Sequence, residues 1–284
     1  MTQQTLIPII HNISSFAPAK AWICDIWGVL HNGVEVYKSA VDACRQFRRA
    51  GGIVILVSNA PRPSSGVLRQ FETLGIGNDV YDRVLTSGDV TRTTLQQHLN
   101  TPTLHIGPDR DVGLFDGLSI PRVTATDAKL ILCSGLYDDT SETPDNYNDL
   151  LKSLAERKVP MLCANPDIKV DRGGEIIYCA GAVAARFSEL GGEVSYAGKP
   201  HAPIYQAAYA EIDRIKANKV HTIDILAIGD GIETDIRGGL NAGLRTLYVT
   251  SAIHLAAQLN EQSLAQLFPD PAMRPTAATE RLAW

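Results

Sequence analysis

The sequence lacks a basic face: its 26 lysines and arginines are outnumbered by 31 aspartates and glutamates, for a formal net charge of −5. With no positive field to hold a polyanion, nucleic acid is not an expected partner, and any phosphate must be held by a local site. Long apolar runs are missing as well. None approaches the ~20 residues that a bilayer-spanning helix needs, so no membrane insertion is expected. The stretch MTQQTLIPIIHNISSFAPAK has no basic start of the kind a secretory signal carries. Cysteine is scarce and unpaired in pattern: Cys24, Cys44, Cys133, Cys163 and Cys179 form an odd set with no C-x-x-C spacing. They read as reduced core thiols of a cytoplasmic protein and argue against a zinc site. Internal repeats and low-complexity tracts are also missing.

What remains is an ordinary globular composition, 45% apolar and 20% charged over 284 residues, long enough for one large domain or two modest ones. Short apolar runs alternate with helical patterns, which predicts an α/β fold built on a parallel sheet. The strand candidates are AWICDIW, GGIVILVSN, RVLTSG, TLHIG, KLILCSG, VPMLCAN, EIIYCA and DILAIGD. In SAVDACRQFRRA, Val41, Cys44 and Phe47 fall near one face and the arginines near the other, and Gly51-Gly52 stops that helix. Further helices are expected over 64–74, 144–157, 202–215 and 233–241. The Pro- and Ala-rich stretch PDPAMRPTAATERLAW reads as an extended surface tail.

Four strands end on polar residues: Asp25 after AWIC, Ser58-Asn59 after IVILV, Lys199 after VSYAG and Asp230 after ILAIG. Each has an ordinary reading alone, as a helix cap, a turn residue or a solvated lysine. Together, at the carboxyl ends of parallel strands, they describe a ligand crevice. An aspartate can attack a phosphoryl group whose charge has been neutralised. Mg²⁺ does this with carboxylate ligands, which Asp25 and Asp230 supply, and a main-chain carbonyl can complete the set. Ser58 with the backbone N–H groups after it can bind phosphate oxygens, Lys199 adds a positive charge, and Asp235 can orient a metal-bound water or Lys199.

Asp25 in DIWGVL, Ser58 in VSNAPRP, Lys199 in GKP, and Asp230 with Asp235 in GDGIETD resemble the four ordered motifs of the haloacid dehalogenase superfamily. VSNAPRP, LTSGDVT, CANPD and AGKPHAPIY resemble its class IIA, NagD-like branch, and the resemblance runs from about Ala21 to Thr250. It implies a Rossmann-like core, residues 1–88 and 193–284, interrupted by a C2-type α/β cap over 89–192 that sets substrate specificity. It implies that Asp25 forms an aspartyl-phosphate. Asp25, the Trp27 main-chain carbonyl, Asp230 and Asp235 would serve the Mg²⁺ site. Ser58, Asn59 and Lys199 would bind the phosphate end of the substrate, with Asn165 and Asp167 of ANPD nearby. The partner implied is a small phosphorylated metabolite, and a homo-oligomer through the cap is compatible with this reading.

One position departs from the pattern. Phosphatases of the superfamily usually carry a second Asp two residues after the nucleophile, as general acid and base, and here that position is Trp27. Tryptophan transfers no proton, and His31 is the nearest titratable candidate in sequence. The leading reading is a Mg²⁺-dependent phosphohydrolase. The alternatives are a carbon–halogen hydrolase of the dehalogenase type, whose halide leaving group needs no acid, and a catalytically weakened phosphate-binding or regulatory protein.

Overall fold

The computed structural model describes residues 6–14, 16, 18–172, 175–250 and 259–284. In chain order its elements are β1 (Ala21–Asp25), α1 (Lys38–Arg49), β2 (Ile53–Ser58), α2 (Ser64–Leu74), β3 (Arg83–Thr86), α3 (Ser87–Leu95), β4 (Thr103–Ile106) and β5 (Leu130–Cys133). They continue with α4 (Asn148–Glu156), β6 (Met161–Cys163), β7 (Lys169–Arg172), β8 (Glu175–Tyr178), α5 (Ala180–Glu189), β9 (Val194–Tyr196) and α6 (Ala202–Lys216). The last are β10 (Ile225–Gly229), α7 (Arg237–Asn241), β11 (Arg245–Val249), α8 (Glu261–Leu267) and β12 (Ala277–Thr279). The α/β fold expected from the alternating pattern is what these elements make. No helix among the described residues is long and apolar enough to cross a membrane.

The chain divides into two compact units. The first comprises residues 1–58, 68–85 and 205–284, and the second residues 59–67 and 86–204. The first is organised by a sheet in the order β12-β11-β10-β1-β2-β3. Every residue of β1 and the first five of β2 are buried, the mark of strands covered on both faces. Helix α1 turns Ala40, Val41, Ala43, Cys44 and Phe47 inward, carries Arg48 and Arg49 in its last turn, and ends before Gly51 at φ +87°.

The second unit is built on the parallel sheet β4-β5-β6-β9. Successive residues of β5 face opposite layers: Ile131 packs with Leu151, Leu154 and Phe187, and Leu132 packs with Leu95, Leu114 and Leu162. All five cysteines are free and buried.

Several elements differ from the sequence expectation. The C-terminal stretch is not a surface tail: β12 pairs parallel with β11, and Ala277, Ala278 and Leu282 are buried. Ile10 N–H donates to Ala278 O and Ala278 N–H to Pro8 O, so the N-terminal segment flanks this strand on its outer side. Backbone pairing, not side-chain pattern, fixes it. EIIY forms no part of a parallel sheet; β8 pairs antiparallel with β7 in a hairpin. The helix expected over 233–241 begins instead as a wide π-type turn, Ile232–Ile236, before α7.

Candidate active site

β1 and β10 lie side by side and parallel, with Cys24 opposite Ile228. The residues that end them therefore leave the same carboxyl edge of the sheet, where open parallel sheets hold ligands. Asp25 closes β1, Asp230 follows β10, and Asp235 stands in the π-type turn. One carboxylate oxygen from each can be chosen so that all lie within 4.8 Å of one another. Asp25 and Asp235 are only 7% and 5% exposed.

Glycines shape this space. A Cβ placed on Gly28, at φ +85°, would stand 2.1 Å from Asp230 Oδ2. One on Gly229 would stand 2.1 Å from Asp235 Cγ. The π-type turn brings the Asp235 carboxylate back over its own start, where Gly231 N–H donates to Oδ2 at 3.1 Å. Such turns often mark functional sites because they re-aim a side chain without ending the helix. Three carboxylates this close resist ionising together unless a cation offsets them. Their oxygen donors, and the cradle that any Cβ would fill, suit a hard divalent cation. Burial first, and the charge of Asp230 next, push the Tyr248 phenol up to about 12.

Trp27 and His31 sit beside this cluster in the same loop. The indole, 39% exposed, covers the backbone of Gly33, where a Cβ would meet Trp27 Cη2 at 2.4 Å. Its ring meets the His31 ring edge-on at 5.6 Å. Gly33 N–H donates to His31 Nδ1 at 2.9 Å, which leaves the ring proton on Nε2, buried and without a hydrogen-bond partner among the described residues. Burial pushes the imidazole down to about 4. His31 is therefore a buried imidazole, neutral at pH 7, packed edge-on against Trp27.

Ser58 closes β2 next to β1, one position beyond the Asp25–Val57 pair. The remaining site residues of the sequence reading lie in the second unit, where the structure joins them. Asn59 Nδ2 donates to Asp167 Oδ1 at 2.8 Å and to Lys199 O at 3.0 Å, and Asn59 Oδ1 accepts from Lys199 N–H at 2.8 Å. Asn165 Oδ1 accepts from Asp167 N–H at 3.0 Å. The Asn59 amide thus pins the backbone of buried Lys199 and the ANPD loop together. Gly198 makes this possible, because a Cβ there would lie 2.5 Å from Asn59 Oδ1.

The glycines that flank Asp230 are a signal in the sequence itself, whereas the room that Gly28 makes for Asp230 and Gly198 makes for Asn59 is visible only in the structure.

Residues 22–120 match the family described as haloacid dehalogenase-like hydrolase, and residues 196–282 match the related HAD-hydrolase-like family. A crystal structure of a hydrolase of the haloacid dehalogenase-like family from Brucella suis 1330 superposes with a TM-score of 0.85 at 39% identity, covering 96% of this chain and 100% of that one. Ribonucleotide monophosphatase NagD of Escherichia coli K12 is 27% identical over 238 residues, 81% of this chain and 87% of its own. Dihydroxyacetone phosphatase of Corynebacterium glutamicum strain R is 35% identical over 99 residues, so the match spans about a third of either protein, 34% of each. The aspartate cradle at the carboxyl edge, the ordered motifs and a full-length structural relative lead to one assignment: the chain belongs to the haloacid dehalogenase-like hydrolases.

Proposed function

We propose that this protein is a Mg²⁺-dependent phosphatase that cleaves a small phosphorylated metabolite through an aspartyl-phosphate on Asp25. The observation that carries this reading is the convergence of Asp25, Asp230 and Asp235 within 4.8 Å at one sheet edge. A carbon–halogen hydrolase needs one nucleophilic carboxylate and gains nothing from two more beside it, so the trio weighs against that alternative. The named relatives, a ribonucleotide monophosphatase and a dihydroxyacetone phosphatase, support phosphate esters as the substrate class.

In this reading an Asp25 carboxylate oxygen attacks phosphorus, the bond from phosphorus to the ester oxygen breaks, and the leaving oxygen takes up a proton. Water then attacks the aspartyl-phosphate, releasing inorganic phosphate and restoring the carboxylate. Asp25, the Trp27 main-chain carbonyl and Asp230 would hold Mg²⁺, which when bound offsets the charge between carboxylate and phosphate. Asp235, held by Gly231 N–H, orients what surrounds that site. Ser58 and Lys199 bind phosphate oxygens, Asn59 fixes the Lys199 backbone, and Asn165 with Asp167 shapes the substrate side. The first unit, residues 1–58, 68–85 and 205–284, would act as the core and the second, residues 59–67 and 86–204, would carry the specificity cap, with β9 in its sheet beyond the 89–192 expected from the sequence. The buried, free thiols support a cytoplasmic setting.

Trp27 favours a restriction on this reading. With no carboxylic acid two residues beyond Asp25, esters with good leaving groups turn over fastest. The test is a panel of phosphate esters assayed with and without Mg²⁺. Hydrolysis that requires the metal is expected. Metal-independent release of halide from haloacids, with no phosphate released from any ester, would replace the proposal with the dehalogenase reading.

A further inference from the structure

The first unit holds a cavity of about 360 Å³ at the amino edge of its sheet, the end away from Asp25 and Asp230. That volume lies in the range of small-molecule pockets. Trp22 of β1 and its paired neighbour Leu226 of β10 line it, with Phe47 of α1 and Trp284. None of these residues takes part in the chemistry above.

The local sequence builds an aromatic wall. Trp22 and Phe47 stack with ring centroids 3.9 Å apart and planes 3° from parallel. A Cβ on Gly52 would stand 2.4 Å from Phe47 Cε1, so glycine there lets the phenyl ring lie against the chain. One on Gly51, at φ +87°, would meet nothing within 4 Å, so the backbone turns past the cavity without filling it. Trp284 stands 6.4 Å from each of the two rings and is tilted by 47° and 48° to them. Trp22 and Phe47 are buried, whereas Trp284 is 39% exposed. An indole left open beside a concave aromatic surface offers a face that a flat apolar ring can cover.

The charges at this edge narrow the ligand. On a chain of net charge −5, Lys20, Lys216 and Arg245 gather here. Lys20 Nζ bonds to Asp224 Oδ2 at 2.8 Å, which offsets its charge, and Arg245 donates to Pro18 O at 2.8 Å. Lys216, exposed in the last turn of α6, donates to Gly51 O at 2.8 Å, a bond to an uncharged carbonyl that does not offset the ammonium. An amine is therefore disfavoured and an acid favoured. A doubly charged head such as a phosphate loses more hydration beside apolar walls than one ammonium returns, which leaves a carboxylate.

We propose that this cavity binds a small planar aromatic carboxylate, with its rings against Trp284 and its carboxylate at Lys216. The site is separate from the Asp25 chemistry and stands whether or not the phosphatase reading does. The test is calorimetric titration of 2-naphthoate, with neutral 2-naphthamide as control, into the full chain and into Trp284→Ala and Lys216→Gln. Wild type should bind 2-naphthoate saturably at about 1 mM or tighter, as a ligand of this size does at modest efficiency, and should prefer it several-fold over the amide. Trp284→Ala should weaken both probes about tenfold through lost ring contact. Lys216→Gln should erase the preference for the acid and leave the amide unchanged. No saturable binding at several millimolar overturns the inference. So does an affinity for 2-naphthoate unchanged in both variants, which puts the ligand elsewhere, or a wild type that binds acid and amide equally. Should Trp284→Ala fail to fold, the exposed Lys216→Gln change decides by the acid-over-amide ratio alone.

Discussion

Gly28 exists to make room for Asp230: a Cβ on Gly28 would lie 2.1 Å from Asp230 Oδ2, and its φ of +85° is one that L-residues rarely adopt. Gly28→Ala should therefore force the Asp230 carboxylate out of the trio and strain the loop. The expected result is a loss of stability of about 1–3 kcal/mol and Mg²⁺ binding weakened by roughly tenfold or more. Chemical denaturation and calorimetric titration measure the two effects. An unchanged Mg²⁺ affinity would remove Asp230 from the proposed site.

Asp25→Asn should abolish turnover and leave the fold intact, since an amide neither attacks phosphorus nor holds a cation as a carboxylate does. Its position, buried at the end of a fully buried strand, tolerates an isosteric amide. The readouts are phosphate release and the unfolding midpoint. Measurable turnover in protein verified free of deamidation would contradict the nucleophile assignment.

The His105 imidazole is pushed down to about 4 from 6.5, chiefly by burial, with Arg122 adding to it and Asp109 opposing. Its unfolded form takes up a proton near pH 6.5, and the folded form does so only near pH 4. Between those values the unfolded chain binds more protons, so stability must fall as pH drops through this window, by at most about 3 kcal/mol from this residue. Below about pH 4 both forms are protonated and this contribution stops growing. His105→Gln keeps a polar atom toward Ser134 and removes the titration. Denaturation midpoints at pH 7, 5.5 and 4.5 should show a shallower fall for the variant, and parallel curves would mean that His105 titrates normally.

Where a buried strand ended on a polar residue, the sequence was readable. AWICD, IVILVS and ILAIG are unbroken apolar runs up to their last residues, which no strand buried on both faces would otherwise tolerate, so Asp25, Ser58 and Asp230 stood out. β12 was hidden because AAT has little intrinsic strand preference, and its place comes from hydrogen bonds to β11 and to the N-terminal segment. The β7–β8 hairpin was hidden because KVDR is polar and takes its conformation from its partner. Asp235 was recognised by spacing, yet its aim depends on a π-type turn that periodicity reads as an ordinary helix.

In the proposed mechanism Trp27 would leave the departing oxygen without a proton donor two residues beyond Asp25, and His31 is buried, neutral and accepts from Gly33 N–H. Expulsion of a weakly acidic alcohol should then be slow, whereas a nitrophenolate leaves without a proton. Wild-type rates should depend steeply on the leaving group's pKa. Trp27→Asp should flatten that dependence and raise turnover of alkyl phosphates by roughly tenfold or more, within the range general acids contribute. The change also removes the indole from Gly33 and from the His31 ring, so a modest loss of stability, about 1–2 kcal/mol, should accompany it. The measurement is a series of aryl and alkyl phosphates, each with Mg²⁺, on wild type and Trp27→Asp. Wild type that cleaves alkyl esters as readily as aryl ones has another acid, and the flattening will not appear in the variant.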